Sequence, residues 1–138
     1  MFVEIIENES EMGVVIDMTE VLSQDAASAT RTVKLVNEKE LVVADRVVAS
    51  DENSVGYSWR MVTNGVPVVK KNMIVLTAEG KTMYLKANSN IKFKYTTWSA
   101  EPKADYDDPN DGKYIVGITA LVPVGTMADF KVVLTPNK

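Results

Sequence analysis

Residues 40–87 read ELVVADRVVASDENSVGYSWRMVTNGVPVVKKNMIVLTAEGKTMYLKA. In this stretch, apolar runs of strand length alternate with residues that form turns, and the runs are rich in Val, Ile and Thr. Such a pattern is typical of consecutive β-strands. Asp45 and Arg46 interrupt one of the apolar runs, so both need polar partners if that run is buried. The stretch therefore predicts an all-β domain.

Two connections within this stretch have the composition of hairpin turns. Ala78-Glu79-Gly80 separates two apolar runs, and Gly80 can take the positive φ that a tight turn requires. Asn64-Gly65 is a strong signal for a type I′ turn, which predicts that the strand containing Trp59 pairs with the strand that follows it. Pro67 limits that following segment to the start of a strand or to a sheet edge, because proline cannot donate a ladder hydrogen bond.

The rest of the chain continues the strand pattern. The pattern predicts an edge strand at residues 2–6 and a buried strand at residues 13–18. It also predicts a half-buried strand at residues 29–36, which forms a hairpin with the strand that follows it. Further strands are predicted at 91–97, 114–122 and 128–135. These runs amount to about ten strands with no substantial helix. We therefore predict an all-β fold, an antiparallel two-sheet β-sandwich.

Length and composition predict a single domain spanning residues 1–138, since 138 residues with a hydrophobic fraction of 46% are sufficient for one packed core. Cysteine is absent, so disulfides and thiolate chemistry are excluded. No apolar run reaches about 18 residues, and the first residues lack the features of a signal peptide, so we expect no membrane span and no export signal. A net charge of −4 argues against a nucleic-acid partner.

The charge is unevenly distributed, because residues 60–94 contain seven basic residues and one acidic residue, Glu79. Pleating places Tyr84 and Lys86 on one face of their strand, and Lys92, Lys94 and Trp98 on one face of the next. If both faces are exposed, they form a lysine-rich surface with aromatic edges, suited to an acidic polysaccharide. The candidate substrate-binding residues are Arg60, Tyr84, Lys86, Lys92, Lys94 and Trp98. The alternative is that these lysines only keep exposed strands soluble.

An acidic loop, residues 105–112, offers oxygen ligands of the kind that Ca²⁺ prefers. Its candidate metal ligands are Asp105, Asp107, Asp108 and Asp111. The same residues are ordinary turn formers, and no downstream Glu lies at EF-hand spacing, so the turn interpretation is favoured. We therefore expect no cofactor, with Ca²⁺ in this loop as the minor alternative.

The chain contains six sequence motifs whose order resembles that of a known protein family. The motifs are GVVIDMTEVLS (13–23), SATRTVKLVNEKELVVADRVVAS (28–50), SWRMVTN (58–64), NMIVLTAEGKTMYLKA (72–87), ADYDDPNDGKYIVGITALVPVG (104–125) and FKVVLTP (130–136). In this order they resemble the C-terminal β-sandwich region of the heparinase II/III-like polysaccharide lyases. Many members place a His three residues after the strand Trp, where this chain has Val62, and the chain contains no His at all.

The resemblance implies a non-catalytic β-sandwich domain, a fragment of a larger lyase that lacks the helical toroid domain. The implied partners are that upstream catalytic helical domain and an acidic, uronic acid-containing polysaccharide such as a glycosaminoglycan. The implied location of the parent protein is periplasmic or extracellular. Two alternatives stay open: a stand-alone carbohydrate-binding module, and a structural or docking domain without glycan affinity.

Catalysis by this chain alone is not expected, although the resemblance implies a parent enzyme that acts by β-elimination. Such a reaction needs a base, usually Tyr or His in this family, and a group that neutralises the uronate carboxylate. The chain has no His, and we interpret Tyr57, Tyr95 and Tyr114 as strand packing residues. An unassisted Tyr, with a pKa near about 10, is also a poor base at neutral pH. We therefore assign no catalytic residue.

Overall fold

The computed structural model describes residues 2–20, 26–100 and 112–137. This part of the chain contains eleven strands and no helix. The strands are β1 (Phe2–Glu7), β2 (Glu11–Asp17), β3 (Ser28–Val36), β4 (Glu40–Val48), β5 (Val55–Thr63), β6 (Val66–Val69), β7 (Ile74–Ala78), β8 (Lys81–Ser89), β9 (Phe93–Trp98), β10 (Tyr114–Val122) and β11 (Met127–Thr135). The predicted all-β fold is confirmed, with slightly more strands than the ten expected.

The strands form two antiparallel sheets of unequal size. The larger sheet has eight strands in the order β1-β2-β3-β4-β11-β8-β7-β6, and the smaller has three in the order β5-β10-β9. The predicted two-sheet sandwich is therefore confirmed. The core between the sheets draws its buried residues from β4, β11, β8 and β7 and from the three-stranded sheet. β1 to β3 extend beyond this covered region, and we call them the wing.

The core follows from period-two alternation on both sheets. On the large sheet Val43, Leu85 and Phe130 point toward the small sheet, where Trp59 and Ile118 meet them. Trp59 is 6% exposed and is therefore a core residue. Each such side chain contributes about 1.5–3 kcal/mol when fully buried. This cluster fixes which faces of the two sheets remain available to solvent.

The predicted hairpin at Asn64-Gly65 is wrong. β5 pairs with β10, whereas β6 pairs with β7, so the two residues connect one sheet to the other. Neither residue has the positive φ that a type I′ turn requires. The bend is supported instead by the Gly65 amide, which donates to Oγ1 of Thr63 at 2.9 Å. A hairpin here would have placed Trp59 in the large sheet, whereas the core needs it in the opposing layer.

The hairpin at Ala78-Glu79-Gly80 is confirmed, since β7 pairs with β8 on either side of it. Glu79 and Gly80 have φ values of 52° and 75°, as the turn requires. β6 is an edge strand, as Pro67 predicts, and β1 is the opposite edge. The predicted burial of residues 13–18 is only partly correct, because β2 belongs to the wing and its residues are half-buried or exposed.

A buried polar network lies where the covered core meets the wing. Asp45 on β4 is 3% exposed and accepts hydrogen bonds from Nε and Nη2 of Arg31, both at 2.7 Å. The hydroxyl of Tyr57 donates to the same carboxylate at 2.5 Å, and its ring stacks on Phe130 with centroids 3.9 Å apart. Arg46 pairs with Asp129 on the exposed side. Asp45 and Arg46 therefore have the polar partners that their positions require.

Candidate functional site

The structure divides the six predicted substrate-binding residues between two surfaces. Four of them lie on the outer face of the three-stranded sheet or at its edge: Arg60, Lys92, Lys94 and Trp98. The other two, Tyr84 and Lys86, lie on β8 and face away from its buried neighbour Leu85, on the outer side of the eight-stranded sheet. The single surface expected from two adjacent strands is therefore not formed.

The separation arises because the chain passes from one sheet to the other between β8 and β9. Asn90 holds this crossover in place. Its side-chain amide donates to the carbonyl of Met127 at 3.0 Å, and its side-chain oxygen accepts from the amide of Asp129 at 2.8 Å. These two bonds attach the crossover to β11, and the chain then continues into β9 in the opposing layer.

Arg60 and Trp98 are brought together on the outer face of the small sheet. Arg60 is opposite Gly117 in the β5–β10 ladder, while Trp98 is opposite Ile115 in the β10–β9 ladder, one row further along. The guanidinium carbon of Arg60 reaches across Gly117 and lies 4.4 Å from the centre of the Trp98 ring. This geometry is a cation–π stack. The indole therefore helps to position the guanidinium above the sheet.

Gly117 makes this stack possible and was missed in the sequence-based prediction. A Cβ at this position would overlap the carbonyl oxygen of Trp59 on the neighbouring strand, so no other residue fits without a backbone shift. A side chain here would also occupy the space that Arg60 crosses. A glycine inside an apolar strand pattern is the signal that could have identified it, because such a glycine often marks a close backbone approach.

The remaining cations continue the surface along β9. Alternate residues of a strand share a face about 7 Å apart, so Lys94, Thr96 and Trp98 of β9 form a row about 14 Å long. Lys92 directly precedes this strand. Lys94 is opposite Thr119. No ion pair between described residues involves Arg60, Lys92 or Lys94. We call Arg60, Lys92, Lys94 and Trp98 the cationic face.

The cationic face can bind carboxylates or sulfates by the ordinary chemistry of its groups. A guanidinium presents a planar fork that matches two oxygens, whereas the two lysines supply point charges. Thr119 lies beside Lys92 and Lys94 in a shallow hollow of this face. Because Arg60 already covers one side of Trp98, the indole is better suited to positioning the guanidinium than to stacking on a sugar from that side.

The tyrosines do not provide a catalytic base. Burial, reinforced by the neighbouring Asp45 carboxylate, raises the pKa of Tyr57 far above its usual value. Burial also raises the pKa of Tyr95, whose hydroxyl accepts a hydrogen bond from the amide of Ala87. Both pack as predicted. Tyr114 does not, because it is 36% exposed at the start of β10.

The metal-ligand candidates Asp105, Asp107, Asp108 and Asp111 lie outside the described residues. Among the residues that are described, no group of three or more His, Cys, Asp or Glu could hold a metal ion. None of the described ranges contains a helix that is long and apolar enough to cross a lipid bilayer.

The wing carries a second distinctive surface. Its inner face continues the face that forms the core, but no strand of the small sheet covers it. Ile5, Met12 and Leu35 are 76%, 66% and 39% exposed there. Half-buried apolar side chains lie between them. We call Ile5, Met12, Val14, Ile16, Val33 and Leu35 the wing face. An apolar area of this kind, rimmed by charged residues, is typical of interaction surfaces.

Comparison with known proteins gives a structural likeness and no sequence match. No family model matches the sequence, and no curated protein matches it. Among solved structures, heparan sulfate lyase HepC from Pedobacter heparinus is similar, with a TM-score of 0.73 and 14% identity over 98% of this chain. A structure of heparinase III has a TM-score of 0.71 and 16% identity over the same share.

The chain spans about a fifth of the length of these lyases, 21% in each case. The likeness at this low identity establishes the fold. The resemblance read from the order of the sequence motifs therefore has a structural counterpart, since the fold neighbours are heparan sulfate lyases.

Proposed function

We propose that this chain is a non-catalytic β-sandwich domain of a heparinase-like polysaccharide lyase and that its cationic face binds an acidic polysaccharide. The observation that carries the proposal is the Arg60–Trp98 stack beside Lys92 and Lys94, on a fold that is similar to part of a heparan sulfate lyase. A uronic acid-containing chain offers the carboxylates, and a glycosaminoglycan also the sulfates, that such a surface recognises.

The physical argument concerns conformational entropy as well as charge. Exposed lysines are ordinary, but an arginine fixed against an aromatic ring has already lost much of its rotamer freedom. Binding an anion through that guanidinium therefore costs less ordering entropy than binding through a mobile side chain. The row along β9 then supplies further charges in a line, which suits an extended polymer rather than a single small anion.

The test is the affinity of the 138-residue chain for heparin, heparan sulfate, alginate and a neutral glycan, measured by affinity electrophoresis and calorimetry at several salt concentrations. We expect salt-sensitive binding to the acidic glycans only, because exposed charge pairs are screened by salt. The Arg60→Ala/Lys94→Ala variant should lose about tenfold or more in affinity. Arg46→Ala/Lys131→Ala removes the same two charges from the outer face of the large sheet and should bind as the wild type does.

Absence of acidic-glycan binding by the wild-type chain would contradict the proposal and leave the docking alternative. Equal affinity for neutral and acidic glycans would contradict the assigned role of the cations. If the chain binds acidic glycans and the wing face has no partner in the parent protein, a stand-alone carbohydrate-binding module becomes the better description.

A second role, docking of a neighbouring domain, is supported by the wing face. We propose that these side chains pack against the helical catalytic domain of the parent lyase, so that the β-sandwich supports that domain and lines one side of its cleft. The exposure of Ile5 and Met12 on the apolar wing face supports this proposal.

We also propose that the chemistry of β-elimination resides outside this chain. The chain contains no His, and Tyr57 is bound to Asp45 and kept protonated. The isolated chain is therefore expected to release no unsaturated uronate product from heparan sulfate. For the parent lyase we propose a periplasmic or extracellular location, where such polysaccharides are met.

A further inference from the structure

A hollow at the edge of the sandwich, where β6 meets β9, carries cations that the predicted site did not include. Lys70, Lys71 and Asn72, in the connection after β6, line one side of it. Lys94 and Tyr95 on β9 line the other. We call this the edge hollow. It opens at the margin of the two sheets, around the edge of β9 from the cationic face.

The connection that carries the two lysines is held in place by Tyr95. The Tyr95 hydroxyl accepts a hydrogen bond from the amide of Ala87 at 2.8 Å and lies 3.0 Å from the carbonyl oxygen of Asn72, to which it can donate. Within the connection, the amide of Lys70 donates to the carbonyl of Met73 at 2.8 Å. One half-buried phenol therefore links β8, β9 and the connection, which positions the backbone beneath the lysines.

The charges in the edge hollow are not neutralised by described residues. Lys70, Lys71 and Lys94 are exposed. No ion pair in the described ranges involves any of the three. Because like charges close together repel, an anion placed among these lysines gains more than it would at an isolated lysine.

Lys94 also lines the hollow on the cationic face, so the two hollows share one cation. A polymer that contacts Lys94 from the outer face can therefore continue around the edge of β9 to Lys70 and Lys71. β9 is the last strand of the small sheet on this side, so no further strand of that sheet lies along the path.

We propose that the edge hollow is a second anion subsite, which binds a carboxylate or sulfate of the same acidic polysaccharide that the cationic face binds. This inference rests on the proposed function and extends it. A short oligosaccharide occupies the cationic face alone, whereas a longer one also reaches Lys70 and Lys71. The site accordingly selects for chain length as well as for negative charge.

The test uses heparin-derived oligosaccharides of increasing length with the 138-residue chain and two double variants. Lys70→Gln/Lys71→Gln removes the charges of the edge hollow. Lys81→Gln/Lys131→Gln removes two exposed charges elsewhere and is the matched control. We expect the wild type and the control to bind long oligosaccharides about tenfold more tightly than short ones. Lys70→Gln/Lys71→Gln should lose that gain while binding short ones normally.

Two further measurements keep the outcomes separate. The amide signal of Asn72 should shift in NMR spectra only when a long oligosaccharide is added, whereas the Trp98 indole signal should shift with both. For long oligosaccharides, the slope of log affinity against log salt concentration should be shallower in the Lys70→Gln/Lys71→Gln variant. The change should correspond to roughly one to two fewer charge contacts, by analogy with other polyanions.

Unchanged long-chain affinity in Lys70→Gln/Lys71→Gln, with Arg60→Ala/Lys94→Ala still impaired, overturns the subsite and leaves the proposed function standing. A wild-type chain that binds no acidic oligosaccharide of any length overturns both. Equal losses in Lys70→Gln/Lys71→Gln and in Lys81→Gln/Lys131→Gln mean that only net charge matters, and this result also overturns the subsite.

Discussion

The guanidinium of Arg60 is stacked on the indole of Trp98, with 4.4 Å between the guanidinium carbon and the ring centre. Lysine at position 60 would keep the charge but would lose the planar fork and most of the stacking. We expect Arg60→Lys to weaken binding of acidic oligosaccharides about three- to tenfold, measured by calorimetry. Arg46→Lys, a matched change on the far side of the sandwich, should leave the affinity unchanged, and an equal effect of both would count against the stack.

Gly117 gives a prediction about stability. Because a Cβ there would overlap the Trp59 carbonyl oxygen, Gly117→Ala should lower the free energy of unfolding by about 3 kcal/mol or more, or prevent folding. Gly56 is the control, since its Cβ would meet no atom within 4 Å. Gly56→Ala should change stability by no more than about 0.5 kcal/mol. Urea denaturation compares the two, and similar values would contradict the assigned crowding.

Asp45 gives a second stability prediction, because its carboxylate is buried and neutralises Arg31. Asp45→Asn removes that charge and one acceptor of the Tyr57 hydroxyl, leaving Arg31 without its partner. We expect a loss of about 2–4 kcal/mol in urea denaturation. Asp129→Asn breaks the exposed pair with Arg46 and should cost much less. A larger loss in Asp129→Asn would show that the network is not what stabilises the core boundary.

Tyr57 gives a prediction about alkaline pH. Its pKa is raised in the folded protein, so above the unfolded value of about 10 the unfolded chain loses this proton while the folded chain retains it. The unfolded state then binds fewer protons, and stability falls as pH rises above about 10. Tyr57→Phe should therefore lose less stability than the wild type as the pH rises. Thermal unfolding measured between pH 8 and pH 11 checks this expectation.

At neutral pH the same variant should be less stable by about 1–2 kcal/mol, because Asp45 loses a donor. Tyr114→Phe, at an exposed position, serves as the control and should leave the alkaline profile as it is in the wild type. A profile for Tyr57→Phe as steep as that of the wild type would show that other groups cause the alkaline loss.

The wing face predicts self-association of the 138-residue chain at high concentration, because exposed apolar side chains on an uncovered sheet favour burial. Ile5→Lys/Met12→Lys should reduce association in sedimentation velocity experiments. It should cost little stability, because both side chains are largely exposed in the monomer. A wild-type chain that stays monomeric at every concentration would contradict this prediction.

Local pattern was sufficient to predict most of the individual strands. Trp59 alternates with polar neighbours and is buried, and the Glu79-Gly80 turn has the backbone angles that its residues favour. The pairing of the strands could not be predicted from local sequence pattern. Asn64-Gly65 has hairpin composition but connects two sheets, since pairing depends on contacts distant in sequence.

Only part of the candidate site was predictable from the sequence, because local pattern indicates the face of a strand but not the sheet to which the strand belongs. Arg60, Lys94 and Trp98 were chosen from charge and strand face, and all three meet on one surface. The adjacency of β8 and β9 in the sequence predicts Tyr84 on the same surface, but the two strands lie in different sheets. The wing face was not foreseen, because whether an apolar strand face is covered depends on the size of the opposing sheet.

Gly117 also has a consequence for recognising related domains. At 14–16% identity to the solved lyases, overall similarity carries little information about which relatives share this surface. The stack instead demands three residue types at fixed ladder positions: an arginine, a glycine directly opposite it, and a tryptophan on the next strand, one row along. A domain with a bulkier residue in the middle position would lack the surface, whatever its percentage identity, so this triplet provides a structure-based search pattern.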